Sequence, residues 1–362
     1  MTVQDNPLRI QLDADAAAFH AFLLGTKKIW GTELYRDAAR DATELSTSVG
    51  DVGELHEQLL ATSPTYQTFA WAEHYLQQFK YAGRYGLVPR YEDSAKDVAR
   101  TLDAAQQQGP GVVELNPDLP LPDYYTKTDF HQHPGGIWSD DIDACAYEFG
   151  ARTPFSVSLA SETELHDRLS DIIAGYEPRD IIDLGCGFGK STFSLKRKLP
   201  DSHVTGVDLS RPAVRLAHLR GVETGLAVDF LQHNAESTGL PDASFDIVTG
   251  TMFVHELPAE ANRKVFREAR RLLRPGGRVV LLDFYLVPGG DVGMLFHFGQ
   301  SDRNNEPFMR ELVGMDLEQE LRDAGFSSVT LAPFEEEDGA LAAGDGLPSS
   351  WRFPWTTITA EV

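Results

Sequence analysis

The chain is poor in cysteine, short of positive charge and without a long apolar run, and each shortage closes off a set of possibilities. Only two cysteines occur in 362 residues, Cys145 and Cys186. That excludes a disulfide scaffold, and both are expected as free thiols in a reducing cytoplasm. Lys and Arg number 32 against 55 Asp and Glu, a formal charge of −23. Phosphate backbones need a basic surface, so neither nucleic acid nor an anionic membrane surface is an expected partner. No apolar run is long enough for a membrane span, so none is expected. The amino terminus lacks a basic segment followed by an apolar core, so no signal peptide is expected. What remains is an ordinary hydrophobic content of 42% and a length that suits more than one domain.

The most informative segment is Asp180 to Lys190, D-I-I-D-L-G-C-G-F-G-K. Ile181 to Leu184 is short and apolar and reads as a buried parallel strand. Gly185, Gly187 and Gly189 follow at alternate positions, then a helical stretch. Glycines allow a sharp turn and close approach of the backbone to a ligand. The third glycine comes one residue too early for a dinucleotide fingerprint, and Asp183 would repel a pyrophosphate. A cationic or zwitterionic ligand fits better. A second strand, His203 to Val207, ends at Asp208, where a carboxylate can take both ribose hydroxyls. A third, Val228 to Gln232, leads to Asn234, which can hydrogen-bond an adenine. A fourth spans Phe245 to Gly250 and a fifth Arg278 to Asp283.

These motifs, in this order, resemble the class I S-adenosylmethionine-dependent methyltransferases over residues 165 to 331. The order is similar to that of the ubiquinone and menaquinone methyltransferases: D-x-G-x-G-x-G, V-D-x-S, D-A-x-x-L-P, F-D-x-V, L-x-P-G-G. One departure is Asn234, where the family usually carries Asp; its amide oxygen can still serve an adenine amino group. The resemblance implies an α/β, Rossmann-like seven-stranded core and S-adenosyl-L-methionine as cofactor. It implies a cofactor site of Asp183, Gly185, Cys186, Gly187, Gly189, Asp208, Leu209, Asn234, Ala235 and Thr251.

Residues 1–109 read as a helical domain, 110–160 as a linker and covering segment, and 161–362 as the core. Thr68 to Phe79 carries Phe69, Trp71, Ala72, Tyr75 and Phe79 as an aromatic stripe, read mainly as packing. Such helices could pack on their own core or form a homodimer. Pro110 to Thr128 reads as an extended linker. Ser139 is expected to cap a helix reaching Phe149. Phe308 to Ala324 reads as one helix, and Glu335 to Gly346 as an exposed loop.

Methyl transfer from a sulfonium is an in-line displacement, so the protein must align its partners and exclude water. Two segments outside the core are expected to cover the acceptor. Tyr124 to Trp138 offers His131 and His133 as bases for an O–H or N–H acceptor, with Tyr125 and Trp138 as contacts. Tyr285 to Pro307 offers His297, Arg303 and Asn304. His255, after the fourth strand, is a third candidate base. His131-x-His133 has no third ligand at metal spacing, so no metal is expected. The expected function is O- or N-methylation of a small organic acceptor, in secondary metabolism for instance. Carbon methylation of a quinone-like ring, or a non-methylating reaction using the bound sulfonium, is the alternative.

Overall fold

The structure is a computed structural model that describes residues 8, 10, 12–137, 139–152, 162–335 and 346–362. The chain opens with helices α1 (Ala14–Ile29), α2 (Tyr35–Ser46), α3 (Val52–Thr62), α4 (Pro64–Tyr81), α5 (Leu87–Glu92) and α6 (Ala95–Ala105). A π-helical turn, Trp30–Leu34, joins the first two. Asp13, Asp51 and Ser63 cap α1, α3 and α4 by accepting backbone N–H groups of the first turn. A short strand β1 (Val113–Glu114), α7 (Asp123–Thr126) and α8 (Asp141–Arg152) lead to α9 (Glu162–Ala174).

The core then alternates β2 (Asp180–Leu184), α10 (Lys190–Lys198), β3 (His203–Asp208), α11 (Arg211–Thr224), β4 (Asp229–Gln232), β5 (Phe245–Thr251), α12 (Ala259–Leu272) and β6 (Leu273–Phe284). It closes with α13 (Gly290–Asn304), α14 (Met309–Gly314), α15 (Leu317–Asp323), β7 (Ser328–Pro333) and β8 (Trp355–Glu361). The sheet order is β1-β4-β3-β2-β5-β6-β8-β7, with β8 antiparallel to both its neighbours and the other pairs parallel. The order reverses between β2 and β5, so a crevice opens beyond their carboxyl ends, where ligands of such sheets bind.

Five strands stand where the sequence placed them, β7 and β8 complete the seven that the resemblance implied, and the eighth, β1, corrects the reading of 110–128 as linker. Val113 and Glu114 add an edge strand to β4, paired with Phe230 and Leu231. A strand of two residues has no period for sequence reading to detect. Asp140, not Ser139, caps α8: its carboxylate accepts the N–H groups of Ile142 and Asp143, while Ser139 turns its hydroxyl to Asp143. The stretch 308–324 is two helices, broken at Met315, because Asp316 starts a new cap on Gln319. The aromatic stripe divides between two faces. Phe69 and Ala72 are buried, whereas Trp71 and Phe79 are exposed, because 71, 75 and 79 share a face turned away from 69, 72 and 76. Of the expected loop 335–346, residues 336–345 lie outside the described residues.

The amino-terminal helices pack on the core through two apolar clusters. Leu23, Trp30, Tyr35, Leu55, Tyr66 and Phe69 meet Val292, Leu295 and Phe296 of α13. Leu87, Tyr91, Val98 and Leu102 meet Leu216 and Leu219 of α11. The helical layer is thereby placed over the crevice.

Candidate active site

Gly185, Gly187 and Gly189 all have positive φ, at 69°, 52° and 88°. A Cβ on Gly185 would lie 2.3 Å from the Phe253 ring, and one on Gly189 would lie 2.7 Å from Phe193. A Cβ on Gly187 would meet nothing within 4 Å, so that residue presents open backbone to a cavity. Its N–H donates to Asp208 Oδ2 (2.8 Å), and Asp208 Oδ1 accepts the Ser210 N–H (2.8 Å). Burial raises the Asp208 carboxyl above its ordinary range, and these backbone donors hold it back. Asp183 works beneath the loop. Its Oδ2 accepts the hydroxyls of Ser191 (2.6 Å) and Thr192 (2.7 Å), tying α10 to β2, and Oδ1 has no partner. Burial pushes its carboxyl up to about 6.

Two cavities meet at this loop. One, of about 130 Å³, is lined by Asp208, Leu209, Asn234, Ala235, Tyr125, Phe253 and Leu257. The other, of about 260 Å³, runs from Cys186, Lys190, Ser191 and Thr251 to the helical layer at Lys27, Trp30, Glu73 and Lys80. Gly185, Gly187, Met252, His131, Tyr147 and Glu256 line both.

A histidine–carboxylate cluster stands at that junction. Phe130–Gln132 forms a 3-10 turn in which His131 has φ 56° and Gln132 φ 58°, left-handed conformations that non-glycine residues adopt at a cost. The turn is pinned on both sides. Tyr124 donates to Glu236 Oε1 (2.9 Å) beyond β4, and Gln132 Nε2 donates to the Arg303 carbonyl (3.0 Å). The His131 ring stacks on Tyr147, with Nδ1 3.0 Å from Glu306 Oε1 and Nε2 3.1 Å from Glu256 Oε1. His255 sits beside it, with Nδ1 2.6 Å from Asp283 Oδ1 and Nε2 3.4 Å from Glu256 Oε1. Asp283 also accepts the N–H groups of Phe253 (2.9 Å) and Val254 (2.8 Å), which fixes the turn after β5.

Burial disfavours charge on both imidazoles. At His131, Tyr147, Glu256 and Glu306 outweigh it, and at His255, Asp283 and Glu256 do, so both rings are raised well above the ordinary range. Glu256 is buried too, yet His131 and His255 lower its carboxyl and keep it ionised. Held charged in this way, either imidazole must first release a proton before it can act as a base. Donation and orientation are what the geometry suits.

The other expected residues fall as follows. Cys186 and Thr251 line the larger cavity, as does Asn304 of α13. Tyr125 lines the smaller cavity with Asp208 and not the larger one. Asn234 lines the same cavity, but its Oδ1 already accepts the Glu236 N–H at 2.8 Å. His133 faces neither cavity. It is buried against Tyr81, 4.6 Å between ring centroids, and burial lowers it to about 4. His297 lines a separate small cavity and is lowered to about 3 by burial. Arg303 lines neither of the two cavities and pairs with buried Glu73 of α4. Asp183 and Gly189 shape the loop from behind. Trp138 lies outside the described residues.

Sequence reading missed Lys27, Trp30, Glu73, Lys80, Tyr147, Glu256 and Glu306. All line the larger cavity, and they come from α1 and the π-helical turn after it, α4, α8, the turn after β5 and the residues just after α13. No local motif joins them. Only Glu256 and Glu306 lay close to earlier readings, Glu256 next to His255 and Glu306 within the segment Tyr285 to Pro307.

Among the described residues no group of His, Cys, Asp and Glu could hold a metal ion. The arrangement does fit S-adenosyl-L-methionine. Gly187 leaves room for a ligand against the loop, Asp208 is a half-buried acceptor in a cavity it shares with Leu209, Phe253 and Leu257, and Thr251 Oγ1 is buried without a partner. Residues 181–277 match the family model described as a methyltransferase domain. The chain is 31% identical over 140 residues to the demethylmenaquinone methyltransferase of Thermus thermophilus, covering 39% of this chain and 63% of that one. It is 36% identical over 135 residues to the 27-O-demethylrifamycin SV methyltransferase of Amycolatopsis mediterranei, covering 36% and 48%. It is 38% identical over 100 residues to a ubiquinone biosynthesis O-methyltransferase of Ralstonia nicotianae, covering 27% and 40%. The chain thus spans less than two thirds of each of these relatives. Residues 181–277 are thus similar to a methyltransferase domain and are set in an α/β core, as the resemblance to the class I S-adenosylmethionine-dependent methyltransferases implies.

Proposed function

We propose that the protein transfers a methyl group from S-adenosyl-L-methionine to an oxygen or nitrogen of a small organic acceptor. The observation that carries this reading is the junction of two cavities at one loop. Asp208, Leu209, Asn234 and Ala235 would hold the nucleoside, and Gly185 to Gly187 with Lys190, Ser191 and Thr251 the amino-acid part. Met252, His131, Tyr147 and Glu256 border the passage between them, where the acceptor atom would meet the activated methyl group. The bound cofactor supplies that methyl group as an electrophile. The chain's own residues align the acceptor and exclude water.

Glu256 and Glu306 hold His131 charged and oriented, so the cluster can donate a hydrogen bond and fix the acceptor. Helices α1 and α4 and the π-helical turn after α1 close the far side through Lys27, Trp30, Glu73, Leu76, Gln77 and Lys80. Such a cover suits a compact acceptor and excludes a polymer. Carbon methylation of a quinone-like ring is the second reading. It is favoured by the wall of Phe284, Trp351, Phe353 and Trp355, in which Phe284 and Phe353 stack 4.2 Å apart. The buried charges opposite weigh against it, because a quinone has little to offer them.

Incubation with methyl-labelled S-adenosylmethionine and a panel of phenols, alcohols, amines and hydroquinones tests the reading. Label in an O- or N-methyl product is expected. Turnover of the cofactor or an acceptor without label in any product would refute methyl transfer.

A further inference from the structure

The unpartnered atoms of the larger cavity say more about its acceptor than its shape does. Among the described side chains that line it, four have a buried polar atom with no partner: Glu73 Oε1, Glu256 Oε2, Thr251 Oγ1 and His166 Nδ1. Thr251 belongs to the loop end by its place at the carboxyl end of β5, and His166 of α9 lies near Lys190 at that end. The two carboxylate oxygens remain for the acceptor. An ionised carboxylate only accepts hydrogen bonds, so each open oxygen calls for a donor.

We infer, building on the methyl-transfer reading above, that the acceptor is an aromatic or similarly apolar amine whose nitrogen is received at Glu256 Oε2, with Glu73 Oε1 as a second acceptor on the helical side. A quinone, ketone or carboxylate offers these oxygens no donor, and a phenol offers one. An ammonium group offers several and adds charge attraction. Glu256 borders both cavities, so a nitrogen held there stands at the passage to the methyl group. The other Glu256 oxygen is engaged by His131 and His255, and the other Glu73 oxygen by Arg303. Neither carboxylate is therefore satisfied by its protein partners alone.

The rest of the wall agrees. Trp30, Tyr81, Phe284, Trp351, Phe353 and Trp355 offer faces on which a cation and an apolar body both sit favourably. Two lysines border the same space. The Lys80 ammonium lies 4.5 Å from the Tyr81 ring centre, and burial holds Lys27 down to about 7 against the pull of Glu73 and Glu306. Lys27 then carries at most part of its charge near neutrality.

Before the site closes on it, the ammonium releases one proton to bulk solvent and leaves a neutral amine, whose remaining N–H donates to Glu256. The nitrogen lone pair forms the new N–C bond as the C–S bond breaks and its electron pair goes to sulfur. The sulfonium becomes a neutral thioether, and the positive charge now rests on the methylated nitrogen.

The test is calorimetry on the full chain saturated with S-adenosylhomocysteine. The probes are matched pairs: benzylamine and benzyl alcohol, phenethylamine and 2-phenylethanol, tryptamine and tryptophol. At least one amine is expected to bind ten-fold or more tightly than its alcohol. Glu256→Gln should cut that preference to three-fold or less, and Glu73→Gln should weaken amine binding while S-adenosylhomocysteine still binds, which controls for folding. Alcohols binding as tightly as amines, or no amine binding to the loaded protein, would overturn the amine inference and leave the cofactor reading intact. Failure of S-adenosylhomocysteine to bind the parent would strike the methyl-transfer reading instead.

Discussion

At the scale of single residues the site depends on which charges are buried and which are answered. His133, His166 and His297 are lowered to about 4, 3 and 3, each chiefly by burial, from an ordinary value of 6.5. Their folded pKa lies below the unfolded one, so the unfolded chain binds more protons in that window. Stability is then present above pH 6.5 and is lost as pH falls through the window. Asp183 and Asp143 oppose this, because burial raises both to about 6 and favours the folded state on acidification. Each histidine contributes at most about 1.4 kcal/mol per pH unit. Urea unfolding at pH 7 and pH 5 should show His297→Leu losing up to about 2 kcal/mol less than the parent. Equal losses would mean that His297 is not buried neutral. Asp208→Ala should weaken cofactor binding at least ten-fold, about 1.4 kcal/mol, through loss of a charged acceptor and of the Gly187 contact.

At the scale of elements, the glycine loop separates two roles that sequence alone could not. Gly185→Ala puts a Cβ into the Phe253 ring, whereas Gly187→Ala puts one into open space. Both residues have positive φ, so each substitution carries a backbone cost of about 1–2 kcal/mol. Thermal unfolding should therefore show Gly185→Ala the less stable of the two. Calorimetry should show Gly187→Ala folded but impaired in cofactor binding. If Gly187→Ala binds normally, the ligand does not lie against that residue.

The loop was legible because one apolar strand, three glycines and a helix follow one another within a dozen residues. The cofactor strands were legible from apolar runs ending in Asp208 and Asn234. The acceptor wall was not. Lys27 and Glu73 reach Glu306 across more than two hundred residues of sequence, and only tertiary packing brings them together. His133 and Arg303 misled for the same reason. Polar residues in a covering segment look alike in sequence whether they face a cavity or turn back into the helical layer.

At the scale of the whole molecule, the amino-terminal helices supply one side of the larger cavity and are locked to the core by a buried ion pair. Arg303 of α13 meets Glu73 of α4, with the guanidinium also over the rings of Tyr66 and Phe69. Arg303→Met alone leaves a buried carboxylate unanswered and should cost about 3–5 kcal/mol. Combining it with Glu73→Gln should cost less than the sum of the single changes, by more than about 1 kcal/mol in urea unfolding. Additive losses would mean that the pair does not hold the helical layer in place. No helix among the described residues is long and apolar enough to cross a membrane.

The central claim is that the glycine loop and Asp208 form a site for S-adenosylmethionine, and calorimetric titration of parent and Asp208→Ala protein with S-adenosylhomocysteine tests it most directly. The account predicts one site of micromolar affinity in the parent, weakened at least ten-fold in the variant. No binding to the parent, or equal binding to both, would contradict it.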